Sequence, residues 1–362
     1  MHNSHYIAIL GWLLGWVLLW RLPRLERAKA PKAGDTQPDV TIIIPARNER
    51  HRIGKLMDSL AEHRPANMRV IVVDDHSEDG TAEFVSQYPF VDVLHSPDVP
   101  PGWLGKPWAC HNGAQAAKPG VLVFMDADIW LHEGGVEHAL EAWRQRGGLI
   151  SVYPFAEMER PYEHLSIFFH IVAMMGVRSG SLLQPRKPAG ALGTLFVMST
   201  DDYETTGGLS SVRNDVVEDF ALAKVFGAHD LPVRTYGGHK DFSARCYADG
   251  IRSLAQGWIK ALGACSLKIP FLLLAGIVAW MTCAIGGLKW VHGPFRWESG
   301  MIYGLFVIQV TVMARQVGRY NLLSGLLYPF LGIFFIFVYA ISLFKTFFIR
   351  KVTWRGRTID TG

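Results

Sequence analysis

The sequence lacks the glycine-rich loops that hold phosphate groups in many nucleotide-binding proteins. Its 362 residues include 36 glycines, but these form neither a Walker loop nor a GxGxxG turn. The four cysteines are scattered without a CxxC pair, which excludes a clustered-cysteine zinc site and a disulfide framework and fits a reducing compartment. The net charge of +4 is too small and too dispersed to indicate nucleic acid as a partner.

Charged residues are also missing from four apolar stretches of the chain. These are His2–Trp20, Ile269–Leu288, Ser299–Ala314 and Tyr320–Phe344. The remaining sequence has the composition of an ordinary soluble protein. This contrast excludes both an entirely soluble protein and a many-helix transporter. We expect a soluble domain held between membrane segments, with one N-terminal and two to three C-terminal transmembrane helices.

The flanks of these stretches predict the topology. The first stretch favours an uncleaved anchor over a signal peptide, because its charged flank follows the apolar run and no small-residue cleavage site comes after it. Basic residues next to apolar segments are retained in the cytoplasm, which predicts a multi-pass protein of the cell membrane with a cytoplasmic catalytic domain. They are Arg21, Arg24, Arg27, Lys29 and Lys32 after the first stretch, and Arg350, Lys351, Arg355 and Arg357 after the last.

Four full crossings would leave the basic C-terminal tail outside the cell, against this rule. One stretch is therefore a candidate re-entrant segment, and the short Ser299–Ala314 is the first choice. The expected organisation is an anchor at 1–22, a basic linker at 23–38, a cytoplasmic domain at 39–268, a membrane region at 269–349 and a basic tail at 350–362.

A fifth apolar stretch, His164–Val177, lies inside the expected soluble domain and is too short to span a bilayer. One interpretation is a buried core helix. The other is a helix in the membrane interface, for which Glu163, Ser166 and His170 form a narrow polar stripe. Residues 159–178 and 250–268 are the two candidate interfacial helices.

The region from Val40 to Lys268 alternates β-rich runs with helical patterns, which predicts a mostly parallel sheet covered by helices on both faces. Ligands bind such sheets beyond the carboxyl ends of the strands. The predicted strands are Val40–Ile44, Arg69–Val73, Val91–Leu94, Val121–Met125, Leu149–Val152 and Thr194–Met198. The predicted helices are Glu49–His63, Gly80–Gln87, Lys106–Ala117, Gly135–Arg146 and Val217–Phe226.

Polar side chains follow three of these strands. Pro45–Glu49 follows the first strand, Asp74–Ser77 the second, and Asp126 and Asp128 the fourth. Single carboxylates after a strand are commonly helix caps, but several converging on one crevice are costly unless they bind a cation or are protonated. With no glycine-rich phosphate loop, a metal and basic side chains would have to hold any phosphate.

These motifs resemble inverting glycosyltransferases of family 2, which have the Rossmann-like GT-A fold. Pro101–Gly113 is a closer signature, similar to the membrane glycolipid branch that includes carotenoid (diaponeurosporenoate-type), hopanoid-associated and ceramide glycosyltransferases. The motifs for the family are Pro45–Glu49, Val73–Thr81, Asp126–Asp128 and Val217–Phe220, and those that add to the branch are Tyr162–Ser166, Tyr203–Gly208 and Thr353–Arg357.

The resemblance implies a role for each matching residue in the donor site. Pro45, Arg47 and Glu49 would line the base and ribose of a nucleotide sugar. Either Asp74 or Asp75 would contact the uracil or ribose. Lys106 would lie against the nucleotide, and the donor is expected to be a UDP-sugar.

The resemblance also implies the catalytic groups. Asp126 and Asp128 form the DxD pair, with Asp126 near the ribose or metal and Asp128 on the metal. Their hard oxygen ligands suit Mg²⁺ or Mn²⁺. Asp219 would be the catalytic base, and Glu218 beside it would tend to raise its pKa.

One motif departs from the family pattern. Many members carry a Gln/Arg-x-x-Arg-Trp motif near the membrane, where this chain has Gln256, Trp258 and Lys260. Lysine cannot offer phosphate the bidentate fork of arginine, although it supplies a point charge. Arg245 is a second candidate cation for the diphosphate or acceptor.

The expected function is the transfer of a sugar to a membrane lipid of carotenoid, hopanoid, sphingolipid or glycerolipid type. Two alternatives remain. A polysaccharide synthase would need more spanning helices than this sequence has. A non-catalytic sugar-nucleotide-binding scaffold or lipid-translocation partner is supported by the altered Gln256–Lys260 motif, but the carboxylates of the DxD and Glu218-Asp219 pairs argue against it.

Overall fold

The computed structural model describes residues 3–28, 38–183, 190–286, 297–349, 351–354 and 357–360. Parts of the expected linker (29–37), membrane region (287–296) and basic tail (350, 355–356 and 361–362) lie outside the described residues. The chain forms two compact units. The α/β unit comprises described residues of 24–155 and 190–245, and the helical unit comprises those of 1–23, 156–189 and 246–362.

The regular elements are numbered along the chain. The strands are β1 (Val40–Ala46), β2 (Arg69–Asp74), β3 (Val91–His95), β4 (Val121–Met125), β5 (Ile129–Leu131), β6 (Leu149–Tyr153), β7 (Phe155–Ala156), β8 (Leu195–Ser199), β9 (Val233–Gly237), β10 (Phe242–Ala244), β11 (Lys351–Trp354) and β12 (Arg357–Asp360). The helices are α1 (Asn3–Leu18), α2 (Ile53–His63), α3 (Thr81–Val85), α4 (Gly105–Gln115), α5 (Gly135–Arg146), α6 (Ile167–Gly176), α7 (Thr200–Thr205), α8 (Glu218–Ala228), α9 (Ile251–Lys268), α10 (Phe271–Gly286), α11 (Trp297–Val317), α12 (Leu322–Leu326) and α13 (Tyr328–Phe344).

The α/β unit is built on a seven-stranded sheet with the order β3-β2-β1-β4-β8-β6-β9. All six strands predicted from the sequence are present, and β9 completes the sheet. Only β8 is antiparallel to its neighbours, and Met125 at the end of β4 pairs with Leu195 at the start of β8. The mostly parallel sheet is therefore confirmed. The strand order reverses between β1 and β4, which is where doubly wound sheets bind ligands.

The central strand and the first helix show why this sheet forms. Ile42, Ile43 and Ile44 of β1 are fully buried, as expected of a strand covered on both faces. On α2, Ile53 and Leu56 belong to the predicted apolar face and are buried. Burial of β-branched strands and one helix face against each other drives this packing.

Two helices are shorter than the sequence pattern predicts. The first begins at Ile53 and not at Glu49, because the residues after the left-handed Asn48 (φ +52°) form a turn in which the Arg52 and Ile53 N–H groups both donate to the Glu49 carbonyl, at 2.8 and 2.9 Å. The second begins at Thr81, since Gly80 before it has φ +82°, and it ends at Val85. A left-handed residue cannot continue a right-handed helix.

Short strands that the sequence did not predict complete the α/β unit. β5 pairs antiparallel with β10, which places Leu131 opposite Phe242. β9 pairs in parallel with β6. Their three to five residues are too few for a clear alternation of apolar and polar side chains.

Among its described residues, the helical unit contains two helices that are long and apolar enough to cross a membrane, Trp297–Val317 and Tyr328–Phe348. The apolar helices His5–Leu18 and Phe271–Gly286 are shorter. Ser299–Ala314, the first candidate for a re-entrant segment, lies within the 21 residues of α11, which extends beyond it at both ends. Length alone therefore does not make this stretch re-entrant.

The apolar stretch His164–Val177 becomes a 3₁₀ turn followed by α6, and this helix is buried inside the helical unit. It packs against α10, α11 and α13, with the Phe168 ring 5.9 Å from Trp280 and the Phe169 ring 4.8 Å from Phe335. Its polar stripe is used internally, since Ser166 Oγ accepts the Trp258 indole N–H at 3.1 Å. Burial agrees with the core-helix interpretation; a position at the membrane interface stays a prediction.

Candidate active site

A lysine lies between two carboxylates at the carboxyl edge of the sheet in the α/β unit. Lys106 Nζ is 2.8 Å from Asp126 Oδ1 and 3.2 Å from Glu218 Oε1. The three residues come from the first turn of α4, the end of β4 and the first turn of α8. Carboxylates and a cation that are distant in sequence therefore meet at one point, at the strand edge where the sequence predicts Asp126.

The pKa values of these groups reflect their crowding. Burial raises the pKa of Asp126 to about 6, with the Lys106 ammonium opposing this shift and Asp128 adding to it. Burial also raises the pKa of Asp128, against the charges of Arg52 and Lys106. Desolvation alone would lower the pKa of Lys106, but Asp126 and Glu218 outweigh it and raise that pKa well above its usual value. The lysine therefore stays charged.

Asp219 is held by the main chain at the N-terminus of α8. Its Oδ2 accepts the Gly193 N–H at 2.9 Å, and its Oδ1 accepts the Phe220 N–H at 2.7 Å. Burial first, and the neighbouring charge of Glu218 second, raise the pKa of Asp219 to about 7. The two N–H donors and Lys106 oppose this rise. A carboxylate with this pKa can take up or release a proton near neutral pH.

A pocket near Asp219 has both charged and apolar lining residues. Lys106, Asp126 and Glu218 are the charged ones, and Gly193 also borders the pocket. Its other lining residues are apolar apart from a thiol: Pro45, Pro107, Cys110, Phe124, Met125, Phe196, Leu209 and Leu222. The reversal point between β1 and β4 thus has charged groups next to a small concave surface.

The residues expected at the nucleotide follow β1 and β2. Arg47 Nη1 donates to the Asp75 backbone carbonyl at 3.2 Å and lies 3.5 Å from Asp75 Oδ2. Glu49 is buried and pairs with Arg52 at 3.6 Å. Asp74 Oδ2 accepts the Ser77 N–H at 3.3 Å. The structure pairs Arg47 with Asp75, and it places Glu49 after β1 and Asp74 at the end of β2.

Side chains hold the two loops that carry these residues against each other. The Glu49 N–H donates to Thr81 Oγ1 at 2.9 Å, and the Glu78 N–H donates to Asn48 Oδ1 at 2.9 Å. The Arg50 N–H donates to Asp79 Oδ2 at 3.0 Å. These bonds fix the loop backbone after β1 relative to the loop after β2.

The carboxylates of the DxD pair fit a divalent cation. Their raised pKa values show that the protein environment disfavours two negative charges here, and a bound cation would relieve that cost. Within the described part of the chain, no three His, Cys, Asp or Glu side chains are grouped so that they could hold a metal ion by themselves. A site with two carboxylates is typical of Mg²⁺ or Mn²⁺ when a phosphate completes the coordination.

The remaining predicted residues lie elsewhere in the chain. Arg245 follows β10 and ends the α/β unit. Gln256, Trp258 and Lys260 lie on α9 in the helical unit, where the Trp258 ring stacks on Phe169 at 4.8 Å. A role for these four residues in binding diphosphate or acceptor stays a prediction.

Known proteins are similar to this chain over most of its length. A family profile described as "Glycosyl transferase family 2" matches residues 41–207. The 4,4'-diaponeurosporenoate glycosyltransferase of Staphylococcus haemolyticus is 33% identical over 355 residues, which cover 90% of each chain. The protein of the same name from Staphylococcus aureus strain USA300 is 30% identical over 92% of each chain. The chain belongs to glycosyltransferase family 2.

A solved structure supports the fold of this family. A mannosyltransferase, PcManGT from Pyrobaculum calidifontis, was solved in complex with GDP-Man and Mn²⁺; it covers 94% of this chain with a TM-score of 0.56 and 16% identity. This similarity shows the fold alone. The GT-A-like architecture is thereby confirmed, and the profile and relatives confirm the family 2 resemblance and the assignment as a glycosyltransferase.

Sequence reasoning missed one part of the family 2 site. Gly193 supplies a main-chain donor to Asp219, but a backbone N–H has no signature in the side-chain pattern. The available signal was the pair Gly190 and Gly193 just before a buried strand, since glycine there indicates close approach of another chain segment.

Proposed function

We propose that the protein is a metal-dependent inverting glycosyltransferase that moves a sugar from a UDP-sugar to a hydroxyl or carboxyl group of a carotenoid-type membrane lipid at the cytoplasmic face. One observation carries this proposal. Lys106 bridges Asp126 on the donor side to Glu218, the residue next to Asp219. Donor-binding and base groups of the family pattern thus form one charged cluster.

Asp219 is the base in this proposal. It takes the proton of an acceptor hydroxyl as that oxygen attacks the anomeric carbon from the face opposite the leaving diphosphate. The N–H groups of Gly193 and Phe220 fix both of its oxygens, so the carboxylate keeps one orientation. Its pKa of about 7 is suited to proton transfer near neutral pH.

The diphosphate is held by Lys106, Asp126 and Asp128 in this proposal. Asp126 and Asp128 would hold Mg²⁺ or Mn²⁺, which stabilises the charge developing on the leaving group when bound. Lys106 supplies a permanent positive charge on the same side of the pocket. Arg245 and Lys260 are further proposed cations for the diphosphate or acceptor, and Gln256 and Trp258 belong to the same motif as Lys260.

Pro45, Arg47, Glu49 and the carboxylates after β2 bind the base and ribose in this proposal. Because the Arg47–Asp75 pair joins the ends of two neighbouring strands, the nucleoside would lie across β1 and β2. This leaves the diphosphate toward β4, where Asp126 lies. The order of the strands therefore matches the order of groups in a nucleotide sugar.

The lipid acceptor is supported by the relatives and by the surface of the helical unit. The curated relatives are named for 4,4'-diaponeurosporenoate, a carotenoid carboxylate. Large apolar side chains are exposed on the helical unit; Phe271 and Leu272 are 79% and 82% exposed. Such surface is typical of lipid contact. We place the protein in the cell membrane as a multi-pass enzyme.

The test measures nucleotide release by the purified full chain in nanodiscs. With Mn²⁺, UDP-glucose and 4,4'-diaponeurosporenoate or the corresponding alcohol, we expect UDP release that depends on the lipid. UDP-N-acetylglucosamine and GDP-mannose are the comparison donors. If nucleotide is released only when GDP-mannose is the donor, the UDP-sugar assignment is wrong. If UDP release does not depend on the lipid, the acceptor class is wrong.

A non-catalytic scaffold would bind UDP-glucose without releasing UDP under any of these conditions. Mass spectrometry of lipids from cells with and without the gene extends the test to unknown acceptors. We expect one lipid to gain the mass of a hexose or an N-acetylhexosamine. Identical lipid profiles would refute the transfer reaction.

A further inference from the structure

We propose that the dipeptide Gly193-Thr194 is a positioning element that sets the distance between the donor-binding carboxylate Asp126 and the base Asp219. The dipeptide directly precedes β8. It contacts both residues through its main chain, and no function was expected of it from the sequence. This inference rests on the proposed role of Asp219 as the base.

The two adjacent residues of the dipeptide form main-chain hydrogen bonds to different partners. The Gly193 N–H donates to Asp219 Oδ2 at 2.9 Å. The Thr194 carbonyl accepts the Asp126 N–H at 2.9 Å. Two catalytic groups that come from different elements are therefore tied to one short stretch of backbone. Such a link is stiffer than one made of side chains, because it contains few rotatable bonds.

The dipeptide is itself anchored to strand β6. Ser151 Oγ donates to the Leu192 carbonyl at 2.8 Å and accepts the Leu192 N–H at 3.2 Å. Thr194 Oγ1 donates to the Val152 carbonyl at 3.0 Å. Ser151 is fully buried. The residues on both sides of Gly193 are thus fixed, and this determines where its N–H points.

Only glycine leaves room for this contact. A Cβ atom on Gly193 would lie 2.9 Å from Asp219 Cβ and 3.2 Å from its Oδ2. A Cβ atom on Gly190 would lie 2.4 Å from the Phe220 ring. The segment before β8 therefore lies directly on the first turn of α8. An alanine at 193 would push the base carboxylate away from its donor.

Catalysis depends on such positioning, since small displacements of a base cost large factors in rate. Gly193→Ala is expected to lower kcat about 10- to 100-fold with the alcohol acceptor while KM for UDP-glucose stays within about twofold. Loss of the Gly193 N–H donor also raises the pKa of Asp219. The charged neighbours of Asp219 are Glu218 and Lys106. The acid limb of the kcat–pH profile should therefore move to higher pH.

Two further variants keep the test decisive if Gly193→Ala fails to fold. Ser151→Ala removes one of the two anchors without touching Asp219, and should give the same changes to a smaller extent. Gly54→Ala is the matched control, because its Cβ would meet Phe84 only at an ordinary 3.6 Å; it should leave kcat and the pH profile unchanged. A merely structural role of Gly193 would lower the yield of folded protein but not shift the pH profile.

Asp219→Asn separates failure of this inference from failure of the proposed base. If Asp219→Asn is fully active with the alcohol, the base assignment is wrong. If Asp219→Asn is inactive while both Gly193→Ala and Ser151→Ala keep the wild-type kcat and pH profile, the positioning role is wrong and the base assignment stands.

Discussion

The Lys106 ammonium lies 3.2 Å from the Glu218 carboxylate, and Glu218 directly precedes Asp219 in the chain. Lys106 therefore offsets the negative charge of Glu218, and that charge disfavours ionisation of the proposed base, Asp219. The same ammonium pairs with Asp126 at 2.8 Å. One cation thus influences both the donor carboxylate and the proposed base, which gives it consequences for pH dependence.

Replacement of Lys106 by methionine tests that influence. Lys106 lowers the pKa of both Asp126 and Asp219, so Lys106→Met should raise both and move the acid limb of kcat/KM to higher pH. We also expect activity at pH 7 to fall about 100-fold, the usual cost of losing one electrostatic contact in an active site. Lys118→Met, at an exposed position after α4, is the control. An unchanged pH profile in Lys106→Met would contradict the coupling.

Asp219→Asn should distinguish hydroxyl from carboxyl acceptors. A hydroxyl must lose its proton to a base, so the variant should lose at least about 100-fold in kcat with the alcohol of the carotenoid. A carboxylate acceptor is already ionised at neutral pH, so transfer to 4,4'-diaponeurosporenoate should fall much less. The measurement is UDP release with each acceptor at pH 7. Equal losses with both acceptors would show that Asp219 does more than remove a proton.

Wild-type activity with the alcohol should fall as pH drops through about 7. This follows from the pKa of Asp219, because the protonated carboxyl cannot accept a further proton. The carboxylate acceptor should show no such limb at that pH. The two kcat–pH profiles, measured from pH 5 to 9, check this directly, and an identical limb for both acceptors would assign it to another group.

The raised pKa of Asp219 also affects stability. The ordinary value is 3.8 and the folded value is about 7, so between them the folded state binds more protons than the unfolded state. The free energy of unfolding therefore falls as pH rises from about 4 to 7. Between pH 4 and pH 8, the free energy of unfolding of the wild type should fall by at least about 1 kcal/mol more than that of Asp219→Asn, a figure reduced for solvent screening. The measurement is the Tm of both proteins in detergent at each pH. A Tm difference between wild type and Asp219→Asn that is the same at pH 4 and pH 8 would contradict this prediction.

Mn²⁺ binding, followed by electron paramagnetic resonance without nucleotide, tests the metal site. Asp128→Ala should weaken binding at least about tenfold, since one of two protein ligands is lost. Lys106→Met should strengthen it, because the ammonium competes for Asp126. Asp98→Asn replaces a fully exposed carboxylate and should change nothing. Binding that is indifferent to Asp128→Ala would remove Asp128 from the metal site.

The sequence predicts the scaffold of the site better than its fine geometry. Runs such as Val40–Ile44 have a strong apolar pattern, so their strands were found, and carboxylates after parallel strands must meet at one edge. The loop that leads into α2 could not be predicted, because it contains the left-handed Asn48, whose N–H donates to Ser77, 29 residues away. The N–H of Gly193 was missed for a similar reason, since a main-chain donor is the same in every residue except proline.

The reversed direction of β8 has a consequence for variation within the family. In a fully parallel sheet, only the loops that follow strands reach the binding edge. Because β8 runs antiparallel to β4 and its first residue pairs with Met125, the loop that enters β8 reaches that edge from the opposite direction. Insertions or exchanges upstream of β8 can therefore reshape the pocket lined by Lys106 and Glu218 while the loops after β1, β2 and β4 keep their lengths, which makes this entrance a natural place for relatives to diverge.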